Sequence, residues 1–431
     1  MITDPRIAND LNIASIELGA RGGSPCLRCR GSRRLCGKTQ CPALLKLYSF
    51  LQINKKAQSH HMVGSSPPGI FVGRIGYPHV YAGPLVPPVL GNTSLFNTPE
   101  EWIGKSFKEI ISFRTNLIRG KFRVNVTKPH SNQRFTDTTL AIALSQDSIS
   151  TDVTFQKKPS GRFLIDNTLQ PMGPSALMHR LKIELSRTDH RLEKAYRDSD
   201  LKAEHAMMDL YNDQVPVSKI QRILSIGALG IQHQRKMVPT RWSITAVDST
   251  ISQRILEKDV KRCPRINEYQ VYEFNYLGNR FVILLIPSNW SYEWIEAWYP
   301  GTAWNPGRQS VAMGGDWESY QGRTTYASIG GCYYSVRLAA AEFLASMRRQ
   351  ARVIALREIY PNFLSPLGVW INRESVRAAF RQSEVKKFNT LPETLKCLMT
   401  RLRIPLSHWM DTSVLLKDEL YQKKMTQYFS R

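Results

Sequence analysis

Between Glu17 and Glu100 the chain has no acidic side chain, although Arg21, Arg28, Arg30, Arg33, Arg34, Lys38, Lys46, Lys55, Lys56 and Arg74 all fall in that span. A stretch with cations and no counter-charges presents a positive surface to solvent. Acids are scarce elsewhere too: 35 Asp+Glu against 59 Lys+Arg leave a formal charge of +24, a surplus that attracts polyanions before any specific contact forms. Nucleic acid is the leading partner, and a proteome that is basic throughout is the plain alternative. No window approaches the ~20 apolar residues of a membrane span, and MITDPRIAND lacks the basic-then-apolar order of a signal peptide. The expectation is a cytoplasmic, nucleoid-associated protein with no membrane partner. Seven cysteines are too few and too uneven for a disulfide framework, and Cys263, Cys332 and Cys397 read as buried thiols. Internal repeats and low complexity are absent, which argues against a solenoid or a disordered chain.

What is present divides by composition. With 431 residues, 42% of them hydrophobic, the chain can build two or three cores. Residues 1–55 read as a small module with one helix candidate, ALLKLYSFLQI, whose Leu44, Leu45, Leu47, Tyr48 and Leu51 are spaced for one face. Residues 56–235 open on a Gly/Pro-rich stretch, expected to be ordered loop with short strands. They continue as helical spacing: EEWIGKSFKEIISFRTNLIRG, RFTDTTLAIALSQ and a long run from Pro174 to His205, with KFRVNV as an intervening strand. Residues 236–410 hold strand candidates RWSITAV, VYEFNYL and RFVILLIP, the last two joined at Gly278-Asn279. A helix then opens after Gly330-Gly331, with Val336, Ala340, Phe343, Leu344 and Met347 on one side and Arg337, Arg348, Arg349 and Arg352 on the other. Residues 411–431 form a tail. The expected fold is mixed α/β or α+β, with a central mostly antiparallel or mixed sheet, packed helices and a small N-terminal zinc module.

Cys26, Cys29, Cys36 and Cys41 follow the pattern C-x2-C-x6-C-x4-C, close enough to close a tetrahedron of thiolates around one structural Zn²⁺. Such a site leaves no position for a reactive water. An iron–sulfur cluster is the alternative that spacing leaves open. The interleaved Arg28, Arg30, Arg33, Arg34 and Lys38 are then available to phosphate.

In YQKKMTQYFSR, residues Gln422, Met425, Tyr428 and Phe429 match Q-x-x-[L/I/M]-x-x-[F/Y]-[F/Y], a PIP-type peptide that binds the sliding clamp (PCNA). One helical turn gathers Met425, Tyr428 and Phe429 into an apolar plug beside the polar Gln422. The bland alternative is a helix burying Met425 and Phe429 against its own domain.

CLRCRGSRRLCGKTQCP, GSSPPGIFVGRIGYPHVYAGPLVPP and KMVPTRWSITAVDSTIS together resemble the Nre family of archaeal DNA repair proteins. The resemblance implies the zinc motif at Cys26, Cys29, Cys36 and Cys41, the clamp-binding box at Gln422 to Phe429, and a part in surviving DNA damage, alongside excision repair proteins. It implies no reaction. Two classes therefore stand: a DNA-binding repair factor recruited by the clamp, and a clamp-recruited enzyme, a nuclease or transferase acting on DNA or a nucleotide. For DNA contacts the further candidates are Arg74, in a glycine loop that fits no phosphate-loop spacing, and Arg348 and Arg349. For chemistry they are Arg241 and Asp248, on a strand expected to end at a cleft, and Asp316 and Glu318 as Mg²⁺ ligands. Trp290, Trp294, Trp298 and Trp304 suit base stacking or, more simply, a core.

Overall fold

Ile118, Gly120, Phe122 and Val124 are buried, whereas Arg119, Lys121, Arg123 and Asn125 between them are not, and this two-residue period makes a strand with one face on a core. The computed structural model describes residues 18–19, 29, 33, 40–57, 59–128, 133–160, 163–164, 170–184, 187–306 and 309–421. They fall into two units, Met1–Ile251 with Leu364–Leu367, and Ser252–Phe363 with Gly368–Arg431.

In the first unit, helix α1 (Pro42–Lys56) precedes strands β1 (His61–Ser66), β2 (Ile70–Val72) and β3 (His79–Val86). Helix α2 (Phe107–Asn116), β4 (Ile118–Asn125), α3 (Gln133–Leu144), β5 (Ile149–Phe155) and β6 (Ser175–Ile183) follow. Helices α4 (His190–Arg197), α5 (Ala203–Asn212) and α6 (Val217–Ser225) come next, and α7 (Thr240–Ile255) begins in this unit, its residues from Ser252 onward being counted with the second. The sheet runs β1-β5-β6-β4-β3-β2, antiparallel except for β4 beside β6. Its apolar face lies under α3, where Phe135 stacks on Phe122 at 5.6 Å. The opposite face carries the alternate, polar set.

Four local expectations change here. The Gly/Pro-rich stretch supplies three sheet strands, one of them eight residues long: Gly83 and Pro84 pair with β2, and the pairing of β3 with β4 skips these two between Ala82 and Leu85. Helix α1 forms as expected, but its buried side is Ala43, Leu47, Phe50 and Leu51, while Tyr48 is exposed. The run from Pro174 is not one helix. Ser175–Ile183 is a strand whose period slips at His179, since Met178 pairs with Phe155 but Arg180 with Thr154, and that extra residue disguises the alternation. RWSITAV is helical: Ser243, Val247, Ile251 and Ile255 are all buried, the i, i+4 stripe of α7, and this spacing outweighs the β-branched content.

The second unit contains β7 (Tyr269–Tyr276), β8 (Asn279–Ile286), β9 (Ser291–Trp298), β10 (Ala312–Glu318), α8 (Gly331–Met347) and β11 (Arg352–Ile359). Then come α9 (Trp370–Gln382), β12 (Lys386–Phe388), α10 (Leu391–Arg401), α11 (Leu406–Thr412) and α12 (Val414–Tyr421). The strand order is β10-β9-β11-β8-β7-β12, with β9 and β11 parallel and the remaining pairs antiparallel. Both faces of this sheet are covered. Phe343 of α8 and Phe380 of α9 pack on Tyr272 of β7, and Leu398, Trp409, Leu415 and Leu416 of α10 to α12 join Val282, Leu284, Ile295 and Ile354. Burial on both sides explains why β8 reads as an unbroken apolar run.

The hairpin β7–β8 turns on Leu277-Gly278, both at positive φ, one residue earlier than the expected Gly278-Asn279, since Asn279 already pairs with Tyr276. A side chain at residue 278 would meet the Phe363 backbone nitrogen at 2.5 Å, so glycine is required there by contact as well as by conformation. Helix α8 ends at Met347, with Arg348 left-handed at its C-terminus. The expected arginine side therefore does not exist: Arg337 is buried, Arg348 and Arg349 lie in the turn, and Arg352 begins β11.

Candidate nucleic-acid interface

The hairpin β2–β3 closes with His79 N–H donating to the Gly76 carbonyl at 2.9 Å and Gly73 N–H to the Tyr81 carbonyl at 2.7 Å. Gly76 has φ of +80°, the left-handed position that lets the tip turn back. Arg74, Ile75 and Tyr77 stand exposed on that tip. The first turn of α7 is pinned beside it, because Thr240 Oγ1 accepts from Val72 N–H at 2.8 Å and lies 3.1 Å from Ser225 Oγ. Arg241 and Trp242 therefore emerge next to the hairpin, and the Trp242 indole lies 5.3 Å from the Tyr77 ring. Tyr77 is 51% and Trp242 47% exposed. Two cations and two half-exposed rings at the positive end of a helix suit phosphate together with an unstacked base. The sequence singled out the glycine loop and Arg241 as separate candidates, and the fold brings them together. Nothing local in the chain announces the Tyr77–Trp242 contact.

The acids considered for chemistry lie elsewhere. Asp248 is fully buried on α7 and accepts from Gln221 Nε2 at 2.9 Å, so it does not end a strand at a cleft. Asp316 accepts from Arg323 Nη2 at 2.9 Å and from Ser328 N–H at 2.6 Å. Burial opposes its charge, but these hydrogen bonds hold its carboxyl below the usual range. Glu318 is buried, accepts from Arg337 Nη1 at 2.8 Å and from Trp290 Nε1 at 3.2 Å, and serves as one half of an internal ion pair. Glu296 is held likewise by Arg357 at 2.9 Å, with Asn279 Oδ1 taking the rest of the guanidinium. Glu293 accepts from Ser413 Oγ and from the Val414 and Leu415 N–H groups, capping the start of α12. The partners of Glu296 and Glu293, 61 and 120 residues away, gave no signal in the sequence, nor did the nearer partners of Asp316, Glu318 and Asp248.

Of the tryptophans, Trp290 and Trp294 are buried in the core, Trp298 is half-buried, and Trp304 is 45% exposed and stacked on Phe363. Arg348 is exposed and Arg349 half-buried. Among the scattered thiols only Cys332 is buried, its Sγ donating to the Ile329 carbonyl at 3.1 Å; burial pushes that thiol up. Cys263, in the turn before β7, and Cys397, within α10, are half-buried.

Cys29 is buried, and Cys41 directly precedes α1, its carbonyl accepting from Leu45 N–H at 3.1 Å. Cys26 and Cys36 lie outside the described residues, as do Arg28, Arg30, Arg34 and Lys38. Arg33 is described and exposed. The whole box from Gln422 to Phe429 is outside the described residues, which end in α12. Among the described residues no group of three or more His, Cys, Asp or Glu is placed to hold a metal, and no helix is long and apolar enough to cross a membrane.

Residues 35–305 match the family model described as Archaeal Nre, N-terminal, and residues 318–428 match Archaeal Nre, C-terminal. The chain is 42% identical to DNA repair protein NreB of Archaeoglobus fulgidus, over 91% of its own length and 97% of the relative's. It is 34% identical to DNA repair protein NreA of the same organism, over 88% and 93%, and 33% identical to DNA repair protein NreA of Haloferax volcanii, over 87% and 91%. No solved structure matches it.

Proposed function

The chain belongs to the archaeal Nre family, and on that premise we propose that it is a DNA repair protein that binds nucleic acid and is recruited by the sliding clamp through its C-terminal peptide. What carries the repair role is near full-length similarity to relatives named as DNA repair proteins. The nucleic-acid part is supported by the +24 charge and by the exposed cluster of Arg74, Tyr77, Arg241 and Trp242. Cys26, Cys29, Cys36 and Cys41 fit one structural zinc by donor chemistry, with Cys29 buried and Cys41 at the foot of α1. A zinc there would tie the arginine-rich segment to α1 and supply no reactive water.

Clamp recruitment rests on Gln422, Met425, Tyr428 and Phe429, which directly follow α12. No observation favours the alternative of a clamp-recruited nuclease or transferase, since Asp248, Asp316 and Glu318 are each engaged by a partner inside the fold. Calorimetric titration of the host's clamp with the full chain and with a chain ending at Tyr421 tests the recruitment. Binding by the full chain and none by the shortened one is expected. Equal binding by both would remove the clamp from the proposal.

A further inference from the structure

The polar face of the first unit's sheet carries, among the described residues, a set of cations and rings. Residues paired across a ladder share a face, so Tyr81 stands beside Arg123, Phe71 joins the same side through Gly83, Lys121 continues to Leu177, and Arg180 and Lys182 extend it over Thr154 and Asp152. Lys121 and Phe71 are half-buried, and Tyr81, Arg123, Arg180 and Lys182 are exposed. Within the described strands one carboxylate, Asp152, shares this face, and His61 Nε2 engages it at 2.8 Å. Lys121 Nζ lies 5.4 Å from the Tyr81 ring centre, and the Arg119 guanidinium 5.8 Å from that of Phe71. The hairpin carrying Phe71 and Tyr81 ends at the Tyr77–Trp242 pair, so rings run along the two outermost strands at one edge of the sheet to the hairpin tip.

We propose that this sheet face binds single-stranded DNA, with Tyr81 as the central stacking ring and Lys121, Arg123, Arg180 and Lys182 as the phosphate contacts. The reading rests on the nucleic-acid role proposed above and names its surface and substrate class. Charge complementarity requires a polyanion, and the rings narrow the choice. An acidic peptide needs cations alone, whereas bases present a π-face to each ring. A duplex keeps its bases stacked inside and is read by elements that enter a groove, while a broad sheet face accepts splayed bases side by side. Burial and repulsion from Arg119 both push the Lys121 ammonium down, and a phosphate seated between the two cations relieves the repulsion.

The test uses the full chain and fluorescence anisotropy with a labelled oligothymidylate, the matching duplex and an RNA of the same length, over a range of salt. Tighter binding to single-stranded DNA than to duplex is expected. Tyr81→Ala should weaken that binding by roughly 5- to 150-fold, the loss of one stacked base. Arg123→Gln with Arg180→Gln should flatten the salt dependence by about 1.4 in log–log slope, two phosphate contacts at ~0.7 each. Photo-crosslinking of unaltered protein to 5-iodouracil DNA should label peptides containing Tyr81, a result that needs no variant to fold. Unchanged binding by both variants with crosslinks elsewhere would overturn the face while leaving a DNA-binding protein. Stronger binding to duplex or to RNA would overturn the substrate class. No binding to any of the three, even at low salt, would sink the nucleic-acid role itself.

Discussion

The Tyr77 ring centre lies 5.3 Å from that of Trp242, with the planes tilted by 50°, although one residue sits on a hairpin tip and the other in the first turn of α7. Neither ring is core. Each leaves about half its surface to solvent, an arrangement that keeps apolar area available to a partner rather than spending it on folding.

Trp242→Ala should therefore leave the melting temperature within a few degrees of the parent while weakening DNA binding by about tenfold, the equivalent of ~1.4 kcal/mol. Anisotropy beside a thermal melt separates the two effects. A large fall in stability with affinity intact would make the pair structural.

The Arg337–Glu318 pair is enclosed, its side chains 3% and 0% exposed, with the Arg337 Nε donating to Ser252 Oγ at 3.1 Å. Arg337→Ala leaves a buried carboxylate without its counter-ion and should cost about 3–5 kcal/mol in urea unfolding. Replacing both, as Arg337→Met with Glu318→Gln, should recover much of that loss. Equal destabilisation by the single and double variants would contradict an ion pair as the cause.

Asp189 is buried, which alone would raise its carboxyl, but Arg191 at 2.8 Å and Lys219 at 3.0 Å outweigh burial and hold it well below the usual carboxylate range. A depressed folded value contributes stability that is complete above the unfolded value near ~3.9 and is lost as pH falls through the folded one. Asp189→Asn should thus be less stable than the parent by about 2 kcal/mol at pH 7, and the gap should close below about pH 4. A gap independent of pH would assign the effect to its capping of α4 instead.

Metal analysis of the purified chain should return about one zinc per molecule, since four thiolates close one site. Cys29→Ser should abolish it and lower the melting temperature, as a lost closed site removes folding energy. Iron in that stoichiometry would replace zinc by a cluster, and absence of any metal would withdraw the site.

Long, strongly periodic segments were legible in the sequence. Phe107–Asn116 shows its helix through apolar spacing, which the structure bears out with Ile110 and Ile111 buried and a Ser106–Glu109 capping box at its start, and the β7–β8 hairpin shows through aromatic and β-branched runs about a glycine. Ser175–Ile183 was hidden because one bulged residue at His179 shifts a period of two. Thr240–Ile255 was hidden because Thr, Ile and Val favour strands locally while their i, i+4 burial is decided by what the helix packs against.

By itself the sequence determined the family, the four-cysteine spacing, the terminal Gln422-x-x-Met425-x-x-Tyr428-Phe429 pattern and the surplus of positive charge, because each is written in adjacent residues or in a simple sum. Tertiary structure alone decided that Glu318 meets Arg337, that Asp248 points inward, that Tyr77 finds Trp242, and that Tyr81, Arg123 and Arg180 share one polar face. These are meetings of side chains on strands and helices far apart in the chain. No local propensity encodes them, since they follow from which ladder each strand joins and which stripe each helix buries.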